Sequence, residues 1–378
     1  MIAIAIIAIN LRPAIAGVGP LIHEIRLDTG LSNTLLGTLT TLPVLAFGLF
    51  SVLTPLFTRK LGTEGTMAFA LLLLTGGILL RVIPAFSALY IGTMILGVGI
   101  ALGNVLLPGI VKKKFPKKFG LVTGIYSAML GVGAAIASGI SVPLSEGAGL
   151  GWRWSLGAWA AVSFLAFIVW LPQLKANIPT ISERNLRSSL KDLGGSKLAL
   201  HVALFVGLQS FTFYIIITWL PEILQERGMG AARAGMMLAI VQGTGVIGTF
   251  LMPAWASRRQ RQRLPVLILI ILELISLIGF MIPSLPPAPL ASILGFSLGG
   301  SFGMALLFIG IRSRNSESAN ELSGMSQSLG YTLAATGPAL FGAFHDLAGN
   351  WTLPLIFLLL TGFVKLWSGW SAGRDEYV

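Results

Sequence analysis

Twelve long apolar runs separated by short polar breaks constrain this chain more than any other feature. They lie at roughly 2–22, 34–57, 66–84, 87–111, 119–142, 153–173, 198–221, 231–256, 264–284, 287–311, 321–344 and 351–371. Crossing about 30 Å of hydrocarbon takes about 20 apolar residues in a helix, and each run supplies that. Lipid offers no partner to an unpaired backbone amide, so the spans must be helical; the runs are too long for barrel strands. Composition agrees: 54% of the 378 residues are hydrophobic and 11% charged, against roughly 25% charged in a soluble domain. The expected fold is an all-α membrane protein of twelve transmembrane helices.

The net charge of +12 does not describe a nucleic-acid face. Lys and Arg gather in alternate breaks: Arg59-Lys60; Lys112, Lys113, Lys114, Lys117 and Lys118; Lys175, Arg184, Arg187, Lys191 and Lys197; Arg258, Arg259, Arg261 and Arg263; Arg312 and Arg314. The other breaks hold only isolated arginines, Arg26, Arg81, Arg153, Arg227 and Arg233. The positive-inside rule places the richer side, and both termini, in the cytoplasm of a cell with this chain in its inner (plasma) membrane. The Lys112–Lys118 cluster also suits anionic lipid. With no cysteine, disulfides and thiol chemistry are excluded. No nucleotide-binding loop, cofactor motif or metal-ligand cluster is evident, and Gly97-Val98-Gly99 follows no strand. A cleaved signal peptide is not expected, because Asn10, Arg12 and Pro13 interrupt the first run.

The longest break, 174–197, divides the chain into residues 1–173 and 198–378, six runs each. The halves echo one another. Pro20 matches Pro221, Gly37 matches Gly235, Pro55 matches Pro253, Gly97 matches Gly295, and Thr123-Gly124 matches Ser323-Gly324, at offsets between 198 and 201 residues. Two parallel six-helix repeats with a solute site between them near the midplane is a known transporter plan.

Several stretches carry a family resemblance. They are Asn10-Leu11-Arg12-Pro13-Ala14 and Val18-Gly19-Pro20 in the first run, Thr218-Trp219-Leu220-Pro221 in the seventh, and Leu251-Met252-Pro253-Ala254 in the eighth. The eleventh contributes Gly324-Met325-Ser326-Gln327-Ser328-Leu329-Gly330-Tyr331, continuing through Gly337-Pro338 and His345-Asp346 to Gly349-Asn350-Trp351. The chain resembles the major facilitator superfamily, in particular the branch that includes cyanate and 2-nitroimidazole transporters. The resemblance implies two pseudo-symmetric six-helix bundles with the first, fourth, seventh and tenth helices lining a central cavity. Two features depart from the superfamily pattern. The loop after the second run reads Thr58-Arg59-Lys60-Leu61-Gly62, without the usual acidic partner, and the fifth run has no Gly-Pro pair of the antiporter kind.

Arg12 is the sharpest candidate for function. It lies ten residues into a span, where an arginine costs about 2.5–3.5 kcal/mol on insertion scales. Its guanidinium stays charged and offers five donors. It either meets an anionic solute in the cavity or binds carbonyls freed by Pro13. Asn10 is two residues away, nearly opposite on an ideal helix, and reaches the same cavity only if Pro13 distorts the helix. Gln209 and Phe213 share a face of the seventh span with Tyr214 beside them, and Gln327 and Tyr331 repeat the pattern in the eleventh. Each pair is either an amide beside an aromatic wall, as in small-molecule sites, or packing. Asn104 and Gln242 are buried amides open to solute or interhelical bonding. Glu273 is the acidic residue inside a span. It is a candidate for proton coupling, set against contact with another helix or a neutral carboxyl near lipid. His23, His201 and His345 lie near span ends, where interfacial or capping roles are expected.

The sequence therefore reads as a secondary transporter, not an enzyme, that works by alternating access. It would bind a small anion or small polar heteroaromatic solute through Arg12, Asn10, Asn104, Gln209, Phe213, Tyr214, Gln327 and Tyr331. No cofactor is expected; protons are a candidate coupling ion, lipid surrounds the chain, and a monomer is expected. The alternatives are a multidrug/proton exporter with a mainly apolar pocket and, from other classes, a membrane-embedded enzyme or a channel.

Overall fold

The computed structural model describes residues 1–115, 119–176, 196–314 and 316–377. Its helices follow the twelve runs. Helix α1 (Ile2–Thr29) is broken into Ile2–Asn10, Pro13–Ala16 and Val18–Thr29. Helices α2 and α3 are the two parts of Asn33–Leu80, divided at Gly62. Then come α4 (Phe86–Lys114), α5 (Phe119–Val142) and α6, made of Gly151–Gly157 and Trp159–Trp170. The second set is α7 (Lys197–Gln225), α8 (Ala231–Ala256), α9 (Arg263–Met281), α10 (Pro287–Ile311), α11 (Ser316–Ala348) and α12 (Thr352–Ala372). Most of the 174–197 break falls on 177–195, outside the described residues. Eleven stretches among the described residues are long and apolar enough to cross a membrane. Helix α11 runs past both ends of the expected 321–344 span, because its first turns are polar and hydropathy alone starts it late.

The breaks have local causes. Gly62 takes φ 71° and ψ 171°, a conformation that only glycine adopts readily, so α2 and α3 part there. Pro13 cannot donate to the Ile9 carbonyl, and Arg12 adopts φ −114°, which interrupts α1 in mid-span. Gly133 of α5 packs against that freed carbonyl, where a Cβ would stand 2.1 Å from Ile9 O.

The repeat seen in sequence is a repeat of contacts. Gly37 of α2 lies against the Pro338 carbonyl of α11, where a Cβ would come within 2.4 Å. Gly235 of α8 lies against the Ser138 carbonyl of α5, at 2.8 Å on the same measure. The two bundles therefore meet along α2–α11 and α5–α8 through matched small residues. The bundle ends match too. Lys113 pairs with Glu64 at 2.9 Å, and Trp170 Nε1 donates to Glu64 O at 2.9 Å. In the second bundle Arg312 donates to Gln262 Oε1 and to Ala372 O. Lys113 and Arg312, and Glu64 and Gln262, are separated like the matched glycines and prolines. We call the face carrying these residues and Arg59 the basic face.

Helices α8 and α10 cross most closely. A Cβ on Gly299 would lie 1.8 Å from Gly245 O, and one on Gly248 2.1 Å from Phe296 O. Gly299→Val is expected to destabilise by at least the roughly 1–3 kcal/mol of ordinary overpacking, because backbone cannot give way. Gly310→Ala, at a site with open space, should stay within about 0.5 kcal/mol of wild type. Thermal unfolding of the purified variants checks this, and equal melting of the two would contradict the packing assignment.

Candidate functional site

A cavity of about 590 Å³ lies between the bundles, within the usual range for small-molecule sites. It runs from Ile15, Ala16 and Ile217 near mid-span to Arg59, Ser323 and Gly324 at the basic face. Arg12, Asn104, Gln209, Phe213, Tyr214, Gln327 and Tyr331 all line it. Asn10 does not: its Nδ2 donates back to Ile6 O at 2.6 Å and the residue is buried. That bond keeps Asn10 within the first segment of α1, which ends before the interruption.

The break at Pro13 turns Arg12 toward the second bundle. Its Cζ lies 5.2 Å from the Phe213 ring centre and 5.9 Å from that of Phe302. Both are cation–π contacts across the cavity. Among the described residues the guanidinium has no hydrogen bond and no carboxylate partner. Two carbonyls after Pro13 are met by other groups: Arg81 Nη1 donates to Ala14 O at 2.8 Å, and Ser138 Oγ donates to Ala16 O at 3.2 Å, while Ile9 O packs against Gly133. Arg81 reads in sequence as a loop charge, yet it is buried behind α1 and braces the broken segment.

Aromatic and amide groups complete the wall. Phe47 of α2 stands edge-on to Tyr331 at 5.6 Å and to Tyr214 at 6.5 Å, and Phe213 to Tyr214 at 5.3 Å. Gln209 Nε2 donates to Ser210 Oγ at 2.7 Å and Gln327 Nε2 to Ser323 Oγ at 2.9 Å, leaving both amide oxygens as acceptors. Gln242 Nε2 donates to Ser138 Oγ at 3.3 Å, tying α8 to α5. Sequence reasoning missed Phe47 and Phe302. Phe302 carried a signal, being a lone ring inside the small-residue stretch Gly299-Gly300-Ser301-Phe302-Gly303. Among the described residues, the ionisable side chains on the wall are tyrosines and the two guanidiniums of Arg12 and Arg59; no carboxylate or histidine lines it.

Beyond Ile217 the bundles close together. Gly19 of α1 packs against Ile217 O, and Thr218 Oγ1 donates to Thr40 Oγ1 at 2.8 Å. Farther out, Arg26 pairs with Glu222. Asp346 of α11 accepts from Asn33 N at 3.1 Å, Thr34 N at 2.8 Å and Thr34 Oγ1 at 2.7 Å. A carboxylate of one bundle thus caps the first amides of α2 in the other, where a helix N-terminus favours negative charge.

The whole-chain comparison decides the family. The Major Facilitator Superfamily pattern matches residues 3–342. The chain belongs to the Major Facilitator Superfamily. It is a multi-pass membrane transporter, not an enzyme. It is 41% identical to "Uncharacterized transporter YycB" of Bacillus subtilis (strain 168), over 99% of this chain and 93% of that one. It is 37% identical to the 2-nitroimidazole transporter of Escherichia coli (strain K12), over 99% and 95%. To the cyanate transport protein CynX of the same organism it is 29% identical, over 94% and 92%. The fold superposes on an inward-facing bacterial homologue of the lysosomal transporter Spinster with TM-score 0.79 at 15% identity, covering 100% and 98% of the two chains.

Within this superfamily fold Glu273 lies away from the cavity. Its side chain is wholly buried on α9 and bonded to Lys365 Nζ of α12, also wholly buried. The partner is a second intramembrane charge of opposite sign that the sequence reading passed over. Replacing either residue alone by Met leaves an unpaired buried charge, expected to cost about 3–5 kcal/mol; the double Met variant should recover most of that. Thermal unfolding of the two single variants and the double variant tests it, and a double variant no better than the singles would contradict a paired structural role.

Proposed function

We propose that this transporter moves a small anion or small polar heteroaromatic solute, cyanate- or nitroimidazole-like, across the inner membrane by alternating access. One observation carries the reading: among the described residues, the cavity wall holds two guanidiniums and no carboxylate. A cationic solute would face the Arg12 guanidinium, which has no carboxylate partner among the described residues. An anion would supply Arg12 with a partner, and a flat ring would lie beside that guanidinium against the Tyr214 and Tyr331 rings. The 2-nitroimidazole and cyanate transporters that this chain resembles carry solutes of the same two classes.

The closure beyond Ile217 and the reach of the cavity to Arg59 correspond to an inward-open state, with the basic face and both termini in the cytoplasm. Residues 1–173 and 198–378 would move as two bodies joined by 174–197, rocking on the small-residue contacts at Gly37 and Gly235. A multidrug exporter of cations would need an acidic group on the wall, and none lines it among the described residues.

Thermal unfolding of purified protein with cyanate, 2-nitroimidazole and small carboxylates tests the site. A ligand at 100 times its Kd should add about 2.7 kcal/mol of stability. Arg12→Ala should lose that gain and Arg12→Lys should keep part of it, since an ammonium retains charge without the planar fork. Equal stabilisation of wild type and Arg12→Ala would refute the assignment.

A further inference from the structure

Where the ends of α8, α9 and α12 meet at the basic face, positive charge collects with no acid to balance it. Arg258, Arg259, Arg261 and Arg263 fall within one short stretch. Among the described residues none of the four has a carboxylate partner. Asp375, the acid in the nearby C-terminal tail, lies 3.8 Å from Arg312 instead. In the first bundle, by contrast, Lys113 of the same face is taken by Glu64.

Two of these arginines are seated on rings. The Arg259 guanidinium lies over Trp255, 4.5 Å from the ring centre, and that of Arg263 over Trp370, 5.1 Å from its centre. Arg263 Nε also donates to Trp370 O at 3.4 Å. A ring face holds a guanidinium without consuming the N–H donors at its edge, so each planar fork stays open to an oxyanion.

The rings also mark where lipid begins. Trp370 is 39% exposed, and Trp367, one turn earlier on α12, is 57% exposed and held edge-on by the His201 ring of α7 at 4.6 Å. Tryptophan gathers at the boundary between headgroups and acyl chains. Away from that boundary α12 exposes Phe363 and Leu360, and α9 exposes Leu264 and Ile268. Apolar surface therefore continues from the arginines into the hydrocarbon.

We propose that this corner of the second bundle is a binding site for an anionic phospholipid of the adjoining leaflet. Its phosphodiester takes the forks of Arg259 and Arg263, and its acyl chains lie along the exposed apolar stripes of α9 and α12. A free phosphate would meet the same charges but leave Trp367, Trp370 and the apolar surface unused. The lipid uses both.

Native mass spectrometry of the purified protein in a neutral detergent, with phosphatidylglycerol or phosphatidylcholine added, counts the bound lipid. The wild type should retain phosphatidylglycerol in preference to phosphatidylcholine. Arg259→Gln and Arg263→Gln should each weaken that binding by about fivefold, and together by about 25-fold, the usual effect of a cation near an anionic lipid surface. Trp370→Leu should weaken it while leaving every charge in place. Lys117→Gln/Lys118→Gln, which removes as much charge from another basic loop, should not. Soluble glycerophosphate at the same concentration should not displace the lipid. Arg259 is exposed, so Arg259→Gln should melt like the wild type and gives a reading even where Arg263→Gln does not fold. No preference for phosphatidylglycerol, unchanged binding in Arg259→Gln or Trp370→Leu, an equal loss in Lys117→Gln/Lys118→Gln, or displacement by glycerophosphate would overturn the proposal. No transported solute enters this measurement, so it stands or falls apart from the Arg12 assignment.

Discussion

A guanidinium held in mid-membrane without a counter-ion is the constraint around which this transporter is arranged. Arginine does not give up its proton in proteins, so Arg12 cannot escape its cost by becoming neutral. It needs water, an anion or an electron-rich surface. The break at Pro13 directs it into the cavity, and Phe213 and Phe302 offer ring faces to it. Of the carbonyls around the break, Ala14 O and Ala16 O are engaged with Arg81 and Ser138, and Ile9 O packs against Gly133. The local disorder of α1's hydrogen bonding and the cationic character of the cavity thus have one origin.

Other buried charges are paired or held by backbone; Arg81 donates to Ala14 O. Glu273 and Lys365 satisfy each other within one bundle, and Glu64 with Lys113 tie helix ends at the basic face. At the closed face, Arg26 with Glu222 and Asp346 with the head of α2 join one bundle to the other. Pairs within a bundle can persist through the proposed alternating access, whereas pairs between bundles would have to break in it. That difference separates structural charge from charge able to respond to the state of the transporter.

Much of the fold was legible because lipid imposes a simple length rule on apolar runs, and because duplication kept equivalent residues at nearly constant offsets. Gly37 and Gly235 were matched in sequence and make equivalent interbundle contacts. The edges of α11 were harder, since a helix continues into polar residues that hydropathy does not count. Seven of the eight expected solute-binding residues line the cavity because they lie on helix faces set by ordinary periodicity. Asn10 lies off the wall because its amide is bonded to Ile6 O and the break turns Arg12, not Asn10, toward the cavity. The Glu273–Lys365 pair joins residues 92 positions apart, and no local pattern announces such a partner. Phe47 and Phe302 were hidden for a related reason, as rings in apolar spans look alike until the bundles are placed face to face.

The most direct test of the account is to see what Arg12 meets. Crystals of the protein soaked with selenocyanate, or with an iodinated nitroimidazole, would reveal the heavy atom by anomalous scattering. The account predicts a peak in the cavity beside Arg12, between it and the Tyr214 and Tyr331 rings, that vanishes in Arg12→Ala crystals. A peak elsewhere in the cavity that survives in Arg12→Ala crystals would contradict it.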